Sequence, residues 1–568
     1  MKKTIIILSA VAVVMLLVVA LLLLTGGEEA KPAPTTTVAT TEEPTTQTTV
    51  PPTTLPPETE PPETEPPFQP HMTATSDPAL WNTVWEVLVD KEVVESYTRE
   101  QPITFEDDNY FAVPGVASFR GGNYRADASY GTADITEKTI NQIWSMNVGF
   151  LSDPEWVGCG WTGQPLVVQW DAQTREHMNL YEDKKNKEGL VEVVYAKMDG
   201  RVHFFDIEDG SATRDPIKLG MVFKGSGALD PRGYPLLYVG AGLQQGSKLQ
   251  TIFVVSLIDG SILYEYCGRD GTAYRLWSAF DSSPLVDAET DTLIWPCESG
   301  QIYTFKLNTE YDQENGTITV NPDAPVKSRY TNDYYKEGRY IGYESSPNMV
   351  DNYLYIGDNA GAFHCVDINT MELVWAQDIL DDVNATAAFE WGDDHRGYLY
   401  IGPSKDYSAK GNTADLPICK LDAQTGEILW TKIVNCGTYD GCAGGTMGSP
   451  MLGREGSNIE DLVIFAMART PGAWDSVVYA LDKNTGEVVW EYETGSYTWC
   501  SPVGIYSEDG TGYVFQIDNE GMCYLIDGAT GKVESTYNMK VHVEASPVVY
   551  NDRVVIGTRF GVVLFDIN

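Results

Sequence analysis

The chain has 568 residues, is 43% hydrophobic and 11% aromatic, holds 52 Gly and 32 Tyr, and carries a formal net charge of −43. That length and apolar content allow a large core, and the Gly and aromatic content suits many short strands joined by turns. A surface this acidic repels phosphate backbones, which excludes nucleic acid as a partner.

Residues 5–24, "IIILSAVAVVMLLVVALLLL", are an uninterrupted apolar run. A run of about 20 residues spans a bilayer as a helix, whereas secretory h-regions run to roughly 7–15 residues and end at small-residue cleavage sites. Lys2 and Lys3 precede the run, Glu28 and Glu29 follow it, and no A-x-A site closes it. Residues 1–27 therefore read as a cytoplasmic tip and an uncleaved signal-anchor transmembrane helix, with the rest of the chain outside the cell.

Residues 28–75 are rich in Pro, Thr and Glu, as in "PPETEPPETEPP". Such a segment cannot bury enough apolar surface to fold, and its prolines stiffen it. It reads as a disordered spacer, or as a stalk that carries the domain through a cell wall with threonines open to O-glycosylation. Residues 1–75 hold three Lys and eight Glu, so only −5 of the −43 lies there and the acidity belongs to the folded part. Residues 76–118 contain "WNTVWEVLVDKEVVESYTRE" at 81–100, which alternates around Asp90-Lys91 and predicts a β-hairpin in an accessory cap or edge segment.

From residue 119 on, one phrase repeats. "LDAQTGEILW" gives Asp422, Gly426 and Trp430, and "LDKNTGEVVW" gives Asp482, Gly486 and Trp490. Looser copies place Asp206, Ser256, Asp367 and Asp527 in the Asp position, and Trp375 closes the copy that begins at Asp367. The Asp can accept backbone N–H bonds inside a turn, and the Gly tolerates positive φ. The Trp is expected to plug a seam between neighbouring units. Each unit opens with a short phrase such as "SSP", "GSP", "CSP" or "ASP" and continues through four short strands, the pattern of a propeller blade. Openings near 161, 225, 280, 343, 385, 446, 499 and 543 give eight blades. The last stops at "LFDIN", with Asp566 in the motif position. Thr139 stands five residues before Trp144, the spacing of Thr425 to Trp430, so the segment around 139–148 is expected to complete the last blade and close the ring.

The tandem D-x-x-T-G-[KE]-x-x-W units at Asp422–Trp430 and Asp482–Trp490 resemble the pyrroloquinoline-quinone (PQQ)-repeat β-propellers of the quinoprotein alcohol-dehydrogenase-like superfamily. The resemblance covers about residues 120–568. It implies an all-β, eight-bladed propeller of four-stranded antiparallel blades, and a monomeric ring. For the enzymes of that superfamily it also implies a quinone in the axial channel, a Glu/Asn/Asp calcium set, an Asp base and an adjacent Cys–Cys disulfide. This chain has nine Cys but no adjacent pair and no CxxC. Only Cys436 and Cys442 share a loop and are candidates for a disulfide; the others read as thiols. The six His show no metal-ligand spacing, and neither a Walker loop nor a G-x-S-x-G motif occurs. No catalytic residue, metal ligand or cofactor is assigned; PQQ with Ca²⁺ belongs only to an alternative reading.

Aromatic residues stand just before several opening strands, at Trp161, Phe280, Tyr343 and Trp499, with Trp277 and Trp391 nearby. They either pack between blades or ring one mouth of the channel as a pocket for a sugar, peptide or cell-wall fragment. The leading functional expectation is a membrane-anchored, surface-displayed module that binds a protein, peptide or glycan or acts as a scaffold. The alternatives are a PQQ-dependent dehydrogenase of alcohols or sugars, and an envelope-assembly scaffold similar to the outer-membrane assembly propellers.

Overall fold

The structure, a computed structural model, describes residues 68–106, 110–149, 151, 158–159, 163–408, 412–439 and 442–568. The expected membrane span at 5–24, the stalk up to residue 67 and Trp161 lie outside the described residues. Among the described residues no helix is long and apolar enough to cross a membrane.

Eight antiparallel sheets stand around an axis as blades. The fifth shows the plan: Ala388–Trp391 is innermost, followed outward by Gly397–Ile401, Thr413–Asp422 and Ile428–Gly437. Among the described residues the core is divided into one packet at each of the eight seams between neighbouring blades, with a small ninth around Met447, Ala468 and Trp499. The inner strands of each blade therefore bury one face against the blade before and the other against the blade after and read as nearly continuous apolar runs, whereas outermost strands such as Ile262–Cys267 and Val533–Asn538 are half-buried or exposed.

The repeated phrase performs two tasks. In the turn, Asp422 Oδ1 accepts the N–H groups of Gln424 (2.8 Å) and Thr425 (3.0 Å) while Gly426 sits at φ +71°. Across the seam, Trp375 of blade 4 donates its indole N–H to the carbonyl of Ala423 in that turn at 3.2 Å. A Cβ on Gly426 would come within 2.7 Å of the Trp375 ring. Trp430, Trp490 and Trp144 dock on the turns of blades 6, 7 and 1 in the same way, at 3.0, 2.7 and 2.9 Å. Where blade 1 has Arg214 in the Trp position, its guanidinium takes over and donates to Leu257 of blade 2 at 2.7 Å.

Ring closure follows the split copy of the motif. Gly561–Ile567 pairs with Ile140–Asn147, with Leu564 opposite Trp144 and Ile567 opposite Ile140. The hairpin over Asp90-Lys91 is present, both residues at positive φ. It adds Val84–Val89 and Glu92–Val94 to the outer edge of blade 3. The stalk boundary at 75 needs correction. His71 N–H bonds to Gln424 O at 2.8 Å, Ser76 Oγ donates to Thr425 O at 2.5 Å, and Phe68 packs edge-on against Trp391. Apolar Phe68 and the hydroxyl of Ser76 have partners on blades 4 and 5, so residues 68–75 belong with the propeller.

Candidate functional site

Each blade's innermost strand starts at one face of the ring, here the upper face, and the D-x-x-T-G turns lie on the lower one. At the start of each inner strand is a Ser or its substitute, and these hydroxyls form a belt around the axis. Ser283 N–H bonds to Ser346 Oγ, Ser346 to Thr386, Thr386 to Ser449, Ser449 to Ser501 and Ser501 to Ser546, at 2.8–3.1 Å. This is the role of the Ser in the "SSP", "GSP", "CSP" and "ASP" openings.

Inside the belt the chain fills its own channel. Residues 114–128 run past the inner strands and bond to every blade. The carbonyls of Pro114, Ala117, Asn123, Tyr124, Ala126 and Ala128 accept from Gln169, Leu229, Met349, Phe389, Leu452 and Val549. Phe119 N–H reaches Ser283 Oγ in blade 3, and Asp127 accepts from Gly504 in blade 7. Two fully buried arginines span the axis. Arg120 donates to the carbonyls of Pro502 (2.7 Å) and Pro450 (2.9 Å), and Arg125 to those of Pro347 and Ser283 (both 3.0 Å). Burial lowers both guanidinium pKa values to about 10, so both stay charged at neutral pH. The sequence offered one cue, two arginines five residues apart in a Gly-rich stretch, but it reads as an ordinary lead-in to the propeller.

At the upper mouth, above the belt, carboxylate oxygens of Asp281, Glu298 and Glu344 lie within 4.8 Å of one another. Asn359 donates to Asp382 at 3.0 Å and to Glu344 at 3.4 Å beside them. Burial and mutual repulsion push the carboxyls of Glu298 and Glu344 above their ordinary range, and burial with Glu344 does the same to Asp382. Lys224 Nζ lies 2.5 Å from Asp281 Oδ2 and 3.7 Å from Glu344 Oε1. Burial alone would lower the Lys224 pKa, but Asp281 and Glu344 hold it above the usual lysine range. The resemblance carried by the repeats implies a quinone in the axial channel and a Glu/Asn/Asp calcium set. The donor set does not fit them: an amine already occupies the carboxylate cluster, and Arg120 and Arg125 with residues 114–128 fill the space below.

The aromatic residues separate. Tyr343 is fully buried, with its hydroxyl 3.1 Å from His364 Nδ1, and Phe280 packs against Trp295. Trp499 is buried against Tyr497 at the seventh blade. These three pack within the protein rather than lining a pocket, because the residue before an inner strand points into the seam. Trp277 is exposed on the upper face. Trp391 ends the inner strand of blade 5, so it lies at the opposite, lower mouth. Its indole donates to Tyr124 there, in the wall of a cleft of about 1230 Å³ that Tyr110, Tyr398, Lys420 and Arg454 also line. Cys436 and Cys442 are separate thiols. Cys436 is buried and accepts from Thr470 Oγ1 at 3.0 Å, while Cys442 is exposed.

A feature not legible as a pattern is a set of exposed apolar side chains around the upper face. Trp277, Tyr340, Leu380, Tyr439, Trp474 and Phe560 all lie in loops that end there. Tyr340, Trp474 and Phe560 are 60%, 54% and 65% exposed. Tyr439 and Trp474 pair at 4.2 Å.

The eight blades, the seam-docked tryptophans and the closing strand define the class: an eight-bladed β-propeller, the fold that quinohemoprotein alcohol dehydrogenases also have. More particularly, the family model described as outer membrane protein assembly factor BamB matches residues 474–565, within blades 6 to 8. Among solved structures, the quinohemoprotein alcohol dehydrogenase ADHIIG of Pseudomonas putida HK5 superposes with a TM-score of 0.51 at 14% identity, covering 82% of each chain. The quinohemoprotein alcohol dehydrogenase of Comamonas testosteroni gives 0.51 at 14%, covering 81% of each. The beta-alanine-activating enzyme of Homo sapiens is 24% identical over 90 residues, 16% of this chain and 8% of that enzyme.

Proposed function

We propose that this chain is a membrane-anchored, surface-displayed propeller that binds a protein or peptide partner through its upper face. The observation that carries this reading is the set of exposed aromatic and aliphatic side chains at Trp277, Tyr340, Leu380, Tyr439, Trp474 and Phe560, around an otherwise polar mouth. Large exposed apolar groups gathered on one face mark interaction sites, and Trp and Tyr are the residues that most often anchor them. Residues 68–76 dock on the lower face, so the upper face is turned away from the point where the chain enters the ring. An outward-facing binding surface on a Pro-rich stalk is the arrangement a displayed module needs.

The test is the Tyr340→Ala/Trp474→Ala/Phe560→Ala triple variant in the full chain, expressed on cells. Surface cross-linking followed by mass spectrometry should recover a partner with the parent chain and lose it with the variant, at unchanged thermal midpoint. An undiminished partner on the folded variant rejects the upper face. Protease shaving of intact cells should release the propeller, and the residual anchor should stay with the membrane fraction. The lower cleft with Trp391 is a second place, for a glycan or peptide. The PQQ-dependent dehydrogenase reading is less well supported, because Lys224 occupies the carboxylate cluster. Reconstitution with quinone and Ca²⁺ followed by dye reduction with alcohols or sugars tests it directly. An envelope-assembly role, by analogy with the BamB family model, would use the same upper face and would show as an assembly factor among the cross-linked partners.

A further inference from the structure

The group around Lys224 has the size and donor chemistry of a divalent-cation site. Three carboxylates converge within 4.8 Å, and hard oxygen donors of this kind suit calcium. Asp281, Glu298 and Glu344 together carry three negative charges when ionised. Arg275, 3.5 Å from Glu298 Oε2, returns one of them. Glu298 Oε1 is buried without a hydrogen-bond partner. The cluster is therefore short of positive charge, and Lys224 supplies it from inside, 2.5 Å from Asp281 and 3.7 Å from Glu344.

The place for the amine is built. Gly242, in the neighbouring turn of blade 2, faces both partners. A Cβ there would meet Asp281 Oδ1 and come within 2.6 Å of Lys224 Cε. The absence of a side chain at 242 makes room for the lysine stem to fold back over the carboxylate. Gly225, directly after Lys224, is equally confined, since a Cβ would run into the backbone of Asp281. Side-chain space, charge and distance all converge on one cation at this point.

We infer that Lys224 is a tethered cation standing where a divalent ion would be held by Asp281, Glu298 and Glu344. With Lys224 and Arg275 in place the three ionised carboxylates keep a net charge of only −1 without metal, and removing the amine opens a one-ion calcium site. With Lys224 gone, three carboxylates and Arg275 leave a deficit of two charges, which one Ca²⁺ matches. The lysine side chain also leaves behind the volume that the ion and its waters need.

The experiment is a Ca²⁺ titration, by calorimetry and by thermal midpoint, of the full chain and of Lys224→Ala at physiological salt, which screens weak binding to the acidic surface. The parent should show no stoichiometric site. Lys224→Ala should bind one Ca²⁺ at least tenfold more tightly than any site on the parent and should gain thermal stability in Ca²⁺. The Lys224→Ala/Glu298→Gln double variant should lose that gain. If Lys224→Ala folds only when Ca²⁺ is present, the inference stands by rescue. It is overturned if the parent itself binds one Ca²⁺ that Glu298→Gln abolishes. It is overturned equally if Lys224→Ala folds and takes up none, or fails to fold with and without the ion.

Discussion

The indole N–H of Trp430 donates to the backbone carbonyl of Lys483 at 3.0 Å, across the seam between blades 5 and 6. A Cβ on Gly486, three residues further along that turn, would stand 2.7 Å from the same ring. The tryptophan of one blade and the glycine of the next are thus two halves of one contact. Trp430→Phe should keep most of the packing and lose the N–H bond, costing about 1 kcal/mol; Trp430→Ala should cost about 3–5 kcal/mol. Gly486→Ala combines positive φ with a collision against the ring and should cost about 2 kcal/mol or more. Chemical denaturation of the three variants measures the order.

Arg120 ties the inner strands of blades 6 and 7 together through the carbonyls of Pro450 and Pro502, and Arg125 those of blades 3 and 4 through Ser283 and Pro347. Arg125→Leu should leave buried carbonyls unpaired and cost about 3 kcal/mol or more, at roughly 1.5–3 kcal/mol per charged hydrogen bond. Arg125→Lys should recover little, because an ammonium cannot reproduce the planar fork that reaches Pro347 and Ser283 together. Thermal unfolding of both variants checks this, and equal midpoints for Lys and the parent would contradict it.

Asp358 is buried, and burial raises its pKa from 3.8 to about 6 although Tyr330 and three backbone N–H groups bond to it. Between those two values the folded chain holds a proton that the unfolded chain has released. Stability contributed here is complete below about pH 4 and falls as pH rises through 6, by about 3 kcal/mol. Asp358→Asn should flatten that part of the pH–stability profile, as followed by urea midpoints from pH 4 to 7.

Of the nine cysteines only Cys267 and Cys442 are exposed. Burial pushes the Cys436 thiol up to about 11, which suppresses the reactive thiolate. A thiol reagent at neutral pH should label two positions in the native protein and nine after unfolding. Reduction before labelling should leave both counts unchanged. Cys436 labelled only after reduction would show a disulfide with Cys442 instead.

Fold and function were legible to different depths. Asp422, Gly426 and Trp430 carry their roles in their own spacing, because a turn and its hydrogen bonds are made by neighbours in the chain. The broken copy at Asp566 and Trp144 disclosed ring closure because the period of the repeat links its two halves although they lie far apart in the chain. For the aromatic residues at Phe280, Tyr343 and Trp499 the sequence left seam packing and a channel mouth both open, since spacing marks a position before an inner strand but not whether it faces the seam or the axis. Lys224 gave no signal, because its partners Asp281, Glu298 and Glu344 come from two other blades.

The sequence by itself determined the repeat, the turns, the number of blades and the strand that closes them: the turns rest on local hydrogen bonding, the others on the period of the repeat. Only the tertiary structure decided that residues 114–128 fill the channel and that a lysine sits among three carboxylates. It alone decided, too, that large exposed apolar side chains of six separate loops lie on one face. Those three features depend on which loop ends meet when the ring closes, and no stretch of the chain read alone contains both sides of such a contact.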